Sequence, residues 1–200
     1  MPILDHFHPP LYPTHSWESF HMRWAAAIAD ALDQLLSPRF FAEVHTHLGT
    51  QVAFPDDLEV RILDERDDAR LAGVVELVSP RNKDRPDARR GFAAKCAAYL
   101  QRGVGVVVAD IVTSRQANLH NELIDVLRLD QAFRQGGNVT LTALAYRPAH
   151  QDAQDRIDVW AVPLTVGGTL PVMPLALWGA GPVVLDLEAT YTETRKRCRL

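Results

Sequence analysis

Apolar residues recur at three- and four-residue spacing over residues 16–36, where Phe20, Trp24, Ile28, Ala31, Leu32 and Leu35 line one side. This predicts an amphipathic helix capped by Ser16. It stops before Ser37-Pro38, because the residue ahead of a proline avoids helical backbone. The period then shortens to two. Strands are predicted at 41–48, ending at Gly49, and at 58–63, where Leu58, Val60 and Ile62 alternate with Glu59 and Arg61. The charged stretch 64–70 reads as a turn, so 58–63 and 71–78 pair antiparallel.

The segment 71–78, LAGVVELV, is apolar almost without interruption, which is the signature of a strand buried on both faces. A polar loop, 80–86, leads to a predicted helix at 87–102 with Phe92, Cys96, Tyr99 and Leu100 on its inner side and Gly103 past its end. The next stretch, GVGVVVADIVTS, is again a buried strand. Strand, crossover helix and strand make a βαβ unit with a parallel pair. Beyond it the pattern predicts a helix over 118–133, with Leu119, Leu123, Val126 and Leu127 as its stripe. Antiparallel strands follow at 139–146 and 157–163 across a polar loop, 147–156. A Gly- and Pro-rich wrap covers 167–182, and a helix closes the chain at 186–197. The fold class is α/β with a mixed α+β sheet.

Residues 1–15 carry four prolines and no periodicity, so they read as an extended arm before a single domain at 16–200. Ile3, Leu4, Phe7, Leu11 and Tyr12 make the arm apolar enough to lie on its own body or on a second copy of the chain. Two cysteines, Cys96 and Cys198, give no disulfide framework, and the first residues do not form a signal peptide. A reducing cytoplasmic setting is therefore expected. No apolar run is long enough to span a bilayer. A net charge of −4 exerts no global pull on nucleic acid, so any such partner needs a local patch. The candidate patch is Arg81, Lys83, Arg85, Arg89 and Arg90. The basic cluster at 195–199 instead suits a helix end.

Glu76 shares a strand face with Val74 and Val78. A carboxylate among aliphatic side chains needs a partner or a metal. Lys95, on the flank of the following helix, is the candidate partner. A structural ion pair satisfies that need as well as a catalytic one does.

A Glu in a buried strand, then Ser-Pro, a polar loop, a helix with Lys-x-x-x-Tyr, Gly-Val and a buried strand with Asp appear here as Glu76, Ser79, Pro80, Lys95, Tyr99, Gly103, Val104 and Asp110. The series resembles the Uma-type branch of the PD-(D/E)XK nuclease superfamily. The segments ELVSPRNK at 76–83 and TSRQANLH at 113–120, with LDHFHPPL, SWESFH and LDLEATYTET, resemble more closely a bacterial family known only as a domain of unknown function. The resemblance implies a restriction-endonuclease-like core with a central strand–helix–strand unit flanked by helices. It also implies two carboxylates holding a divalent metal, usually magnesium, for phosphodiester hydrolysis. Glu76 would be the second acid. Val78 stands where that motif normally has its lysine, and Lys95 matches the position on the helix, with Lys83 as the alternative. Asp56, in a literal Pro-Asp, would be the first acid, and Glu18 an additional metal carboxylate. Glu18 equally suits a first helical turn. The stretch 50–55 leaves almost no room for a further acidic strand.

His45 and His47 project to one strand face and could share a metal, but spacing supplies no third ligand. His6, His8, His15 and His21 cluster towards the N-terminus, and Tyr12, Trp17 and Trp24 read as anchors for the arm. Val-Ser-Pro at 78–80 is no nucleophile elbow, and no Gly-rich phosphate loop opens a helix. Two readings remain: a metal-dependent nuclease-like hydrolase, or a catalytically inactive nuclease-fold module for binding or assembly.

Overall fold

The computed structural model describes residues 2–47, 57–151 and 154–200. The first amphipathic stretch forms α1 (Trp17–Asp33), whose N-terminus is capped by the Ser16 hydroxyl accepting from the Ser19 N–H. Three strands follow: β1 (Phe40–His47), β2 (Asp57–Asp64) and β3 (Arg70–Leu77). The short helix α2 (Pro80–Asp84) and the long α3 (Pro86–Gln101) cross to β4 (Gly105–Asp110). After α4 (Leu119–Val126) come β5 (Thr142–Gln151), β6 (Gln154–Pro163), β7 (Val172–Leu175), β8 (Val183–Asp186) and α5 (Leu187–Cys198).

The first six strands form one mixed sheet in sequence order, and β7 and β8 form a separate hairpin. All neighbours in the six-stranded sheet are antiparallel except β3 and β4, which the α2–α3 crossover makes parallel. Gly103, at φ +79°, ends α3 in the left-handed region and turns the chain into β4.

Strand periodicity of two sends alternate side chains to two different cores. On one face, Trp24, Ile28 and Leu32 of α1 and Tyr191 of α5 pack on Leu58, Val60, Ile62, Val75, Leu77 and Val107. On the other, Phe92, Cys96 and Tyr99 of α3 and Leu123 of α4 pack on Val74, Val106, Val108 and Tyr146. Among the described residues, none of β1 or β2 belongs to this second core. The α3 side of those two strands is therefore where polar side chains can sit.

Three sequence expectations change, and one choice the sequence left open is decided. The 80–86 loop is largely helix α2, because the Asn82 side chain turns back to accept from the N–H of Ser79 at 2.8 Å. The helix expected over 118–133 ends at Val126: Arg128 adopts φ 55°, and its N–H and that of Leu129 bond the Asp125 and Ile124 carbonyls. The polar stretch 147–156 mostly continues the β5–β6 ladder, held by an ion pair between Arg147 and Asp158 and a hydrogen bond between His150 and Asp155. The arm docks on its own body. Ile3 is buried in the first core and exchanges backbone bonds with the turn at Gly167 and Gly168. His6 is buried against Phe20 and hydrogen-bonded to the Tyr191 hydroxyl at 2.8 Å.

The 167–182 wrap crosses the sheet where Gly73 and Gly105 pair across β3 and β4. A Cβ at Gly105 would lie 2.3 Å from the Ala176 carbonyl oxygen, a backbone atom that cannot step aside. Gly105→Ala should therefore destabilise the fold by about 1–3 kcal/mol, the usual cost of overpacking, measured by urea denaturation. Gly91→Ala, in open space, should not.

Candidate functional site

The antiparallel register of β2 and β3 sets Glu59 directly opposite Glu76, and β1 adds His45 to the same row. Glu76 shares its face with Val74 and Val78, and Glu59 lies on the face that β2 turns away from Leu58 and Val60. Both carboxyls therefore point to the α3 side, and both are buried. Helix α3 brings Lys95 and Tyr99, one turn apart, down onto them. The Lys95 ammonium lies 2.9 Å from Glu76 Oε2 and 3.5 Å from Glu59 Oε2. The Tyr99 hydroxyl donates to Glu59 Oε2 at 2.9 Å. Arg61, two residues along β2, places Nε 2.6 Å from Glu59 Oε1, and His45 Nδ1 lies 3.6 Å from the same oxygen.

Two carboxyls in hydrogen-bonding contact cannot both ionise cheaply, and their surroundings divide the proton unequally. Burial drives Glu76 upward, to about 8, and Lys95 only partly opposes it. Burial also pulls Glu59 upward, but the hydrogen bond from Glu76 and the charges of Lys95 and Arg61 outweigh it and hold Glu59 down at about 2. The buried Oε1 of Glu76 has no hydrogen-bond partner. Burial, followed by the charge of Glu59, also raises the Tyr99 hydroxyl.

Of the residues singled out from sequence, the structure brings Glu76 and Lys95 together. Asp56 and the stretch 50–55 lie outside the described residues. Glu18 is exposed and accepts from the Ser16 hydroxyl at 2.7 Å, on the helix that covers the opposite face of the sheet. It is not brought to Glu76. Lys83 is no part of a solvated basic loop. Its ammonium is fully buried, 2.9 and 3.1 Å from the two Asp110 oxygens, and donates to the carbonyls of Val112 and Thr140. Burial raises Asp110 to about 6 despite that ammonium. Arg81, Arg85 and Arg90 are exposed, and Arg89 pairs with Glu122 at 2.9 Å.

The side chain of His47 lies outside the described residues, and the other N-terminal histidines do not converge with His45. His21 bonds the Leu77 carbonyl, His8 bonds Asp5 and His6 bonds Tyr191. Among the described residues no three of His, Cys, Asp and Glu form a metal cage. Magnesium asks for less: one or two carboxylates, with water and substrate phosphate completing its shell. Glu59 and Glu76 offer oxygen donors only, one of them buried and accepting nothing, so the pair fits such a hard cation.

Glu59, Arg61 and Tyr99 are members of this constellation whose roles sequence reasoning missed. Alternation set Glu59 and Arg61 on the face of β2 opposite Leu58, Val60 and Ile62 and gave them no role. The available signal was their neighbour: β3 is buried on both faces, so a polar pair opposite it must also be covered.

The raised pKa of Glu76 lets the folded chain keep a proton that the unfolded chain releases above pH 4.5, so stability falls as pH climbs from 4.5 towards 8. The lowered pKa of Glu59 contributes stability that is present above pH 4.5 and lost as pH falls towards 2. Glu76→Gln should flatten the upper limb, whose slope is at most about 1.4 kcal/mol per pH unit. Urea denaturation in EDTA at stepped pH reads this, and an unchanged slope would place the proton elsewhere. Lys83→Met strands a buried carboxyl and should cost about 3–5 kcal/mol. Arg90→Ala should stay within about 0.5 kcal/mol in the same assay.

Compared with protein-family models, with curated proteins and with solved structures, the chain matches none.

Proposed function

We propose that this chain is a nuclease-like hydrolase of phosphodiester bonds, dependent on a divalent metal such as magnesium, with Glu59 and Glu76 as its two acids and Lys95 as its lysine. The observation that carries this reading is the facing of Glu59 and Glu76 across adjacent strands with the Lys95 ammonium against both. It supplies from β2 an acid that the sequence resemblance sought in Asp56. The order of elements is compatible with the restriction-endonuclease-like core that the resemblance implies: a helix, three antiparallel strands, a crossover helix and a fourth strand parallel to the third.

The roles follow from position. Glu59 and Glu76 would hold the cation, which when bound supplies charge neutralisation and a more acidic water. Lys95 sits at the open flank of the pair, 18% exposed, where an ammonium can offset charge building on a phosphoryl group. Tyr99 fixes the rotamer of Glu59 by its 2.9 Å hydrogen bond. Substrate would approach over the uncovered α3 side of β1 and β2, with exposed Arg81, Arg85 and Arg90 adding local positive charge at the start of α3.

A non-catalytic binding or assembly module is the second reading. A groove of about 860 Å³ favours it, bounded by Leu127, Leu129 and Phe133 on one side, Ile157 and Val159 on the other, and Trp178. None of Glu59, Glu76 and Lys95 touches that groove.

The deciding experiment is cleavage of single- and double-stranded DNA and RNA in magnesium or manganese, with Glu59→Gln, Glu76→Gln and Lys95→Met as comparisons. Each substitution should lower the rate by about 100-fold or more. Absence of cleavage on all four substrates, with no stabilisation by either metal at millimolar concentration, would leave the module reading standing.

A further inference from the structure

The six-stranded sheet ends in β1 on one side and β6 on the other, and the two edges are built differently. At β1, the Asp33 carboxylate of α1 accepts from the Ala42 N–H at 2.7 Å, so an outward backbone donor is already satisfied. No described strand pairs with the outer side of β6. This strand runs ten residues in unbroken register with β5, holds no lysine, and has its one proline, Pro163, as its last residue. Lysines, prolines and bulges are the devices by which an edge strand turns a second chain away. Val159 and Trp160, on opposite faces of β6, stand 41% and 38% exposed.

The register of β6 on β5 determines which backbone groups face outward. Leu164 donates its N–H to Leu141, one step beyond the pair Thr142–Pro163. Bonding alternates along an antiparallel strand, so even-numbered residues of β6 bond β5, and Asp155, Ile157 and Val159 turn N–H and C=O outward. Arg156 and Asp158 share a face, opposite in sign and two residues apart. We propose that β6 pairs antiparallel with β6 of a second copy of the chain, about a two-fold axis at Ile157. The two Ile157 residues then exchange backbone bonds, Asp155 bonds Val159, and Arg156 faces Asp158 of the other copy on both sides of the axis. Each Asp158 keeps Arg147 and Arg156 of its own copy, and no charge lies directly opposite a like charge. An axis one residue to either side would set Arg156 against Arg156 or Asp158 against Asp158. On the other face Ile157 meets Ile157 with Val159 diagonal to it, so the apolar floor of the groove beside Phe133 continues across the axis. The charges of β6 thus complement a second β6. This pairing is independent of the acid pair on β2 and β3.

Sedimentation velocity tests it. The wild-type chain at about 100 μM should sediment as a dimer. Ile157→Pro deletes an outward N–H and no bond to β5, so it should keep its circular dichroism and weaken the dimer about 10-fold or more. Val44→Lys, on the β1 edge, should leave the dimer unchanged. Arg156→Asp sets acid against acid across the axis, and Asp158→Arg sets cation against cation, so each alone should weaken the dimer about 10-fold or more. Mixed in equal amounts, the two variants restore both ion pairs and should recover the dimer, which a loss of folding cannot do. If Ile157→Pro fails to fold, the mixture decides. A wild-type chain that is monomeric at about 100 μM overturns the inference and leaves the edge to a different partner. A dimer indifferent to Ile157→Pro and to both charge reversals places the contact elsewhere and overturns it as well. A mixture that fails to dimerise overturns the pairing about Ile157.

Discussion

Two carboxyl groups pressed together in a protein interior are tolerated only when a proton and nearby cations absorb their repulsion. Glu59 and Glu76 impose that constraint here, and a large part of the structure answers it. Helix α3 must cross β3 at the rotation that lands both Lys95 and Tyr99 on the pair. The crossover that carries α3 makes β4 parallel to β3, and α4 then packs beside α3. A slip of one residue between β2 and β3 would turn Glu59 into the first core, expel Leu58 and Val60 from it and leave Glu76 with no acid opposite it.

The two faces of the sheet do different work. The face under α1 and α5 is apolar from β1 across to β5, sealed by the docked arm and the crossing at Gly73 and Gly105. The face under α3 and α4 carries its second core from β3 to β6, and Glu43, His45, Glu59 and Arg61 on β1 and β2. The acid pair sits on the boundary. There β3 supplies burial that raises one carboxyl, while β2 and the flank of α3 supply cations near enough to solvent to meet a ligand.

The second buried lysine shows what a purely structural pair looks like in the same fold. Lys83 is enclosed by Asp110 and two backbone carbonyls, ties α2 to the end of β4 and to Thr140, and has no exposure. Lys95 remains partly exposed and bridges two acids instead of one. Other polar residues of the recognisable segments also serve the backbone. Asn82 ties back to Ser79, Asn118 caps α4, and His120 bridges Tyr146 and the Phe133 carbonyl.

The strand–helix–strand unit was legible in the sequence because it is local. A run of buried-strand residues, a helical stripe and Gly103 at the turn are determined by neighbours a few residues apart. Glu76 and Lys95 were legible for the same reason, a costly charge on an apolar strand followed by a cation on the next helix. What the sequence alone misplaced depends on contacts made at a distance. Alternation says which residues share a face, but not whether a helix covers that face, so it placed Glu59 on the polar face of β2 without showing that it is fully buried. Composition marks Lys83 as loop-like and basic, whereas its environment is set by Asp110 and Thr140, far along the chain. The sequence determined that a buried acid needs a partner. Only the register of β2 on β3 and the landing of α3 decided that its partners are a second acid and the cations that make two acids bearable.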